Sequence, residues 1–167
     1  MNITVKKGKG DFHKKLKQLR QFGKAHVEVG HFASQGQHES IDMSYVDLMK
    51  FHHKGGVSES GVSSPSRPVM THMMMYATKA AANSMSTRQA FKAWSEGRTT
   101  NEGFFISLGK VLVQTEKNLF GSSGSLVKNA PFTVALKGRD DPLVDTGDLR
   151  DRVAYKTSIS KRVVDSA

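Results

Sequence analysis

The segment from Asn101 to Gly121 constrains the fold of this chain more than any other. Asn101 stands as a helix cap, and Phe104, Phe105, Leu108, Val111, Leu112, Leu119 and Phe120 form one continuous apolar stripe closed by Gly121. A stripe of that length must be covered by other apolar surface, so the chain has to fold in layers around this helix. The supply of such surface is limited: 167 residues are 37% hydrophobic. That suits one domain with a modest core, or one domain with an extended arm.

The remaining elements follow from periodicity and punctuation. Ile3-Thr4-Val5 reads as a short strand, followed by a turn at Lys7 to Gly10. Asp11 reads as an N-cap, with Phe12, Leu16 and Leu19 at helical spacing and Gly23 just past the end. Ala25, Val27 and Val29 alternate with His26 and Glu28 in a half-buried strand, and 34–40 is polar loop. A helix is expected from Ser44 to His53, with Tyr45, Leu48, Met49 and His52 on one face and Gly55-Gly56 ending it. Val57 to Pro68, rich in Ser, Pro and Gly, reads as an extended irregular loop. An Ala- and Met-rich helical stretch, Thr71 to Ser84, follows, and then a second short helix, Thr87 to Glu96, carrying Phe91 and Trp94. Beyond the long helix and a Gly/Ser loop at 121–125, Phe132 to Lys137 and Arg152 to Ser158 read as strands. The tail from Lys161 reads as a frayed end. The expectation is α+β: a small, mainly antiparallel sheet packed with a long amphipathic helix and several shorter ones. The basic N-terminal strand/helix arm covers 1–24, the domain 25–158 with its 57–68 loop, and the tail 159–167.

Charge narrows the classes of partner. The net charge is +10, and within the first twenty residues Lys6, Lys7, Lys9, Lys14, Lys15, Lys17 and Arg20 face one acid, Asp11. Such a basic surface suits nucleic acid or an acidic face of a protein partner, and it is equally the pattern of a solvated helix face. No apolar run approaches the ~20 residues that span a bilayer, and the first residues lack the apolar core of a signal peptide. Without cysteine, disulfides and thiolate metal sites are excluded, which fits a reducing cytoplasm.

Several groupings have the form of chemistry. His26, His31, His38, His52, His53 and His72 crowd one part of the chain, yet no pair has the i, i+4 spacing of helical metal ligands. No metal or cofactor is expected. Met70, Met73, Met74 and Met75 make an adaptable packing surface. The acids Asp140-Asp141 and Asp145-Asp148 have no histidine near them in sequence. Asp145-Thr146-Gly147 has the form of the aspartic-protease tripeptide, which works as a facing pair of carboxylates. This chain has one copy, so a symmetric dimer would have to supply the other, and the helix-rich pattern departs from that all-β architecture. A structural role accounts better for the tripeptide. Asp145 accepts backbone N–H groups in an Asx-turn, Gly147 permits positive φ, and Asp148-Leu149-Arg150 begins a helical turn into the next strand.

That corner lies in a longer string, Asn129 to Tyr155, in which a strand ending Lys137-Gly138 precedes Pro142-Leu143-Val144-Asp145-Thr146-Gly147-Asp148-Leu149 and a closing strand. The string resembles the C-terminal signature of bacteriophage tail-completion or neck proteins, the virion-morphogenesis group. Upstream, Val27 to Gly30 with the helix after it, and Ser64-Pro65-Ser66-Arg67-Pro68-Val69, are similar to that family's early strand and helix and to its Pro-x-Arg-Pro-Phe segment. Two positions depart from the pattern: Val69 stands for Phe, and Phe51 to Gly55 replaces Glu-Phe-Gly. The resemblance covers about residues 25–158 and its helix Glu102 to Leu119 matches the family's long one. It implies a non-enzymatic virion protein, assembled in the host cytoplasm, that completes the tail or joins it to the head as a ring. Hexamer is favoured over dodecamer. The implied partners are connector or adaptor, tail terminator and tail tube proteins, with DNA in the channel as a lesser contact and no membrane. The implied motif and interface residues are Arg67, Pro68, Pro142, Leu143, Asp145, Thr146, Gly147 and Leu149. The rival reading is a basic nucleic-acid-binding module centred on Lys6 to Arg20.

Overall fold

The computed structural model describes residues 9–57, 61, 63–122, 124–159 and 163–165. Its centre is α5 (Asn101–Lys117), which packs between helices on one side and a sheet on the other. The helical side is α3 (Val69–Asn83) and α4 (Met85–Ser95). The sheet side is three antiparallel strands in the order β1-β4-β5. Here β1 is Val27–Gly30, β4 is Ala154–Thr157 and β5 is Val163–Asp165. The expected α+β class is therefore what the chain adopts.

Because α5 is covered on two sides, its apolar surface is wider than one stripe. Phe104 and Phe105 are buried as expected, whereas Leu108, Val111 and Leu112 are half-buried and Gly109, Val113 and Glu116 are fully enclosed. Phe105, Gly109, Val113 and Glu116 recur at helical spacing and share a face. Gly109 shows what that face meets: a Cβ there would stand 2.7 Å from Tyr155 Cγ, so the ring of β4 rests directly on the helix backbone. Tyr155 pairs with Val29 on one side and Val164 on the other, at the middle of the sheet. The core continues through Tyr45, Leu48 and Met49 of α2 (Tyr45–Lys54), Val69 and Met73 of α3, and Leu119, Phe120, Leu126, Val144 and Leu149.

Local chemistry explains most boundaries. Ser44 caps α2 by accepting from Asp47 N at 3.1 Å, and Gly55, at φ +73°, ends it. Thr100, not Asn101, caps α5 by accepting from Gly103 N at 3.1 Å. The Asn101 side chain is turned to a different use: Nδ2 donates to Gln18 O at 3.0 Å and Oδ1 accepts from Trp94 Nε1 at 2.7 Å. It thereby ties α1 (Lys9–Phe22) and α4 to the start of α5. Helix α1 begins two residues before Asp11, so Asp11 is not its cap, and it docks through Phe22 while Phe12 and Leu19 are exposed. The Phe22 ring lies 4.2 Å from Trp94 and 5.1 Å from both Phe104 and Phe105, centroid to centroid.

Three expectations are corrected. Pro131–Lys137 is a helix, α6, and not a strand. Pro131 occupies its first turn, where no N–H is needed, and Gly138 at φ +70° closes it with Gly138 N donating to Val134 O at 2.8 Å. The tail is not simply frayed, since Val163–Asp165 forms the third strand of the sheet. Among the described residues of the 57–68 segment the irregular-loop expectation is modified at its ends: β2 (Gly56–Val57) pairs with β3 (Ser63–Ser64). Ser66 Oγ and Arg67 N then bond to carbonyls of His53 and His52, at 2.7 and 2.8 Å, folding the segment back on the end of α2. The expected strand at Ile3–Val5 lies outside the described residues.

Replacing Gly109 with Val should lower stability by about 1–3 kcal/mol, because overlap with the Tyr155 ring outweighs the gain in helix propensity. A urea melt showing unchanged or higher stability would contradict the close α5–β4 contact.

Candidate functional site

The 142–152 corner is held by specific bonds from several elements. Pro142 is buried and its carbonyl accepts from Gly121 N at 2.8 Å. Leu143 has φ +62°, the one non-glycine left-handed residue among the described residues; that conformation costs roughly 1–2 kcal/mol. It is imposed from both sides. Val144 behind it is buried, and Lys137 Nζ, at the end of α6, donates to the carbonyls of Asp141 and Val144. Arg139 Nη2 donates to Asp145 O at 3.2 Å.

The tripeptide itself departs from expectation in one respect. The turn acceptor is Thr146, whose Oγ1 accepts from Asp148 N at 3.3 Å, while the Asp145 side chain is exposed. Thr is a workable ST-turn residue, and with Thr146 filling that role the Asp145 carboxylate is not drawn inward. Gly147, at φ +95°, then starts α7 (Asp148–Asp151). Asp148 is the hub of this helical turn. Tyr45 Oη donates to its Oδ2 at 2.6 Å, His38 Nε2 lies 3.3 Å from the same oxygen, and Arg152 Nε lies 3.7 Å from Oδ1. The Arg152 guanidinium also sits 5.2 Å above the Tyr45 ring. Burial, reinforced by Asp148, raises the Tyr45 hydroxyl above its ordinary pKa. Leu149 is buried, and its carbonyl accepts from His31 Nε2 at 2.7 Å, which makes Nδ1 the unprotonated nitrogen of that ring. Gln35 Nε2 donates to Arg152 O at 2.6 Å. The corner is thus fastened to α2 and to the loop after β1.

Arg67 performs a second fastening. Only 6% exposed, it donates from Nε to Val127 O at 2.9 Å and from Nη2 to Lys128 O and Asn129 Oδ1 at 3.2 and 3.1 Å. Asn129 N in turn donates to Asp140 Oδ1 at 2.8 Å. Burial lowers the Arg67 pKa and the Asp140 charge opposes that. The same burial, with Arg67 close by, pushes His52 down to about 4. The Arg67-Pro68 segment and the corner are linked through residues 127–140, which carry α6.

Of the residues singled out in the sequence, Arg67, Pro142, Gly147 and Leu149 are buried and Pro68 and Leu143 half-buried, so only Asp145 and Thr146 face solvent. Of the basic residues, Lys14, Lys15 and Lys17 line an open cleft, Lys9 and Arg20 lie on α1, and Lys6 and Lys7 fall outside the described residues. Among the described residues no three His, Cys, Asp or Glu side chains are grouped to hold a metal. Glu116 escaped the sequence reading. It is fully enclosed, both oxygens lack a partner among the described residues, and burial pushes its pKa up to about 7. Its place on the Gly109 face was the available signal.

No protein-family model, curated protein or solved structure matches the chain.

Arg67→Ala removes a buried guanidinium with its three hydrogen bonds, to two backbone carbonyls and the Asn129 side-chain amide, and should cost about 3 kcal/mol. Arg67→Lys, a point charge without the planar fork, should recover less than half of this in the same chemical-denaturation series. Glu116 sets a pH dependence of known sign. Its folded pKa lies above the unfolded value of 4.5, so folding binds a proton and wild-type stability falls as pH rises from 4.5 through about 7. Glu116→Gln removes this loss: relative to wild type it should gain up to roughly 3 kcal/mol across that interval. A constant difference between the two proteins across pH would refute the buried, uncharged carboxyl.

Proposed function

We propose that this chain is a structural virion protein of a bacteriophage neck or tail, a ring subunit that completes the tail or joins it to the head. The observation carrying the reading is the pairing of a fully braced corner with an unspent apolar ridge beside it. Around Asp148 the polar groups are consumed by internal bonds, so the corner offers shape to a partner and little free chemistry. Next to it, α6 presents Phe132 and Leu136, one turn apart and 74% and 72% exposed. Lys137, at the end of the same helix, bonds the corner itself. A rigid frame carrying exposed apolar side chains is what a subunit needs to close a symmetric ring with complementary faces.

On α3 and α4, Met74, Met75, Met85 and Phe91 are exposed as well. They give a second adaptable surface for connector, terminator or tail tube proteins, while Met73 is spent in the core. Among the described residues no helix is long and apolar enough to cross a membrane. The reading includes assembly in the host cytoplasm and residence in the virion, with a hexamer favoured over a dodecamer.

Sedimentation and negative-stain microscopy of the purified protein should show rings at high concentration. Phe132→Asp combined with Leu136→Asp should dissociate them without lowering the melting temperature, since both side chains are already in water. A protein that stays monomeric and is absent from purified virions by mass spectrometry would sink the proposal.

A further inference from the structure

Between α1 and the turn joining α4 to α5 lies an open cleft of about 1050 Å³. One wall carries Lys14, Lys15, Lys17 and Lys24, and the facing wall carries Arg98 with the hydroxyl of Thr99. Glu96 and Glu102 are its acids; Glu96 pairs with Arg98, which leaves the four lysines against Glu102. The four lysines have no ion pair among the described residues, and Arg98 joins them only through the fold, from the turn between α4 and α5.

The cleft is preformed. Asn101 bonds Gln18 of α1 and Trp94 of α4 at once, and the Phe22 ring is seated among Trp94, Phe104 and Phe105 beneath it. The elements that carry the cations are therefore held in a fixed arrangement, and the ligand need not bring them together, which lowers the ordering cost of binding.

We infer that this cleft binds the sugar–phosphate backbone of nucleic acid without reading its sequence. The lining decides between the two polyanions that the charge would suit. Protein partners are usually gripped by an apolar, aromatic-rich centre, and here, besides the two glutamates and Gly97, the lining is lysine, arginine, glutamine, asparagine, threonine and serine, with Ala25 and Ile159 its apolar side chains. Nucleic-acid interfaces are more polar and much more positive, and hydroxyl groups such as those of Thr99 and Ser158 commonly complete phosphate contacts. No aromatic side chain lines the cleft, so bases have nothing to stack on and recognition rests on phosphate alone. The inference is independent of the virion reading: it holds or fails whether or not the chain forms rings.

The test is a fluorescence-anisotropy titration of a short labelled DNA duplex across about 50–200 mM salt. Wild type should bind at the low end and weaken steeply as salt rises, as counterion release requires. Lys17→Glu with Lys24→Glu should weaken binding by about tenfold or more and flatten the log–log salt slope by about 2. A control pair of equal charge change outside the cleft, Lys79→Glu with Lys110→Glu, should stay within about twofold of wild type by the same argument. All four lysines are exposed, and circular-dichroism melts check that both variants fold. Absence of duplex binding at low salt overturns the inference, as does an equal loss in the control pair. Binding of a polyglutamate peptide through the cleft lysines with no duplex binding overturns it too, in favour of an acidic protein partner.

Discussion

The approach of Tyr155 to Gly109 sets the geometry on which the other contacts depend. With no Cβ at 109, the central strand of the sheet comes down onto the backbone of α5, and the ring fills space that a side chain would otherwise take. That contact fixes the height of the sheet over the helix. It thereby fixes where β4 must begin, and so where the 142–152 corner has to deliver the chain. Val153 and Ala154, at the start of β4, are wholly buried, leaving no slack between corner and sheet.

The corner answers this demand with many modest bonds and no single strong one. Tyr45, His38 and Arg152 meet on Asp148, His31 holds Leu149, and Lys137 holds the carbonyls behind Leu143. Each such bond contributes on the order of 1 kcal/mol net, and together they hold a left-handed leucine that would not persist alone. Arg67 extends the frame to the other end of α6. A helix exposing two large apolar side chains is thus anchored at both ends, at Asn129 by Arg67 and at Lys137 by the corner.

The fold was legible where its signals are local. Glycines, helix-prone composition and apolar spacing placed α2, α3, α4 and α5 within a few residues, although the caps read at Asp11 and Asn101 were misplaced, and β1 and β4 were placed as strands. What was missed depended on tertiary context. Phe132 to Lys137 has the composition of a strand, but Pro131 and Gly138 bracket it as a helix, and those two cues outweigh its single Val and Thr. Val163 to Asp165 is too short to register until β4 is there to pair with it. The corner was found because Gly147 and the residues around it are constrained by backbone geometry, which sequence records well. Its acceptor was misassigned to Asp145 because Thr146 serves an ST-turn equally. Arg67 was picked out by resemblance, yet its burial arises against residues 60 or more positions distant, and Glu116 is enclosed by elements that pack on α5 from elsewhere in the chain, so neither leaves a local trace. Arg98 was missed for the same reason, whereas Lys24 lies just past the basic run of the first twenty residues.

The pairing of Val27 with Thr157 has a consequence for how the molecule comes into being. Helices α2 to α5 meet neighbours close in sequence, so they can associate while the chain is still being synthesised. Strand β1 has no partner until β4 emerges some 130 residues later, and closing so long a loop is slow. The corner adjoins β4 and tightens only when the sheet does. A nascent or truncated chain therefore has its helices before it has a rigid corner. In that order of events the exposed Phe132 and Leu136 gain a fixed frame only once β4 has emerged, so on the proposed ring-subunit reading the emergence of β4 acts as a checkpoint on docking.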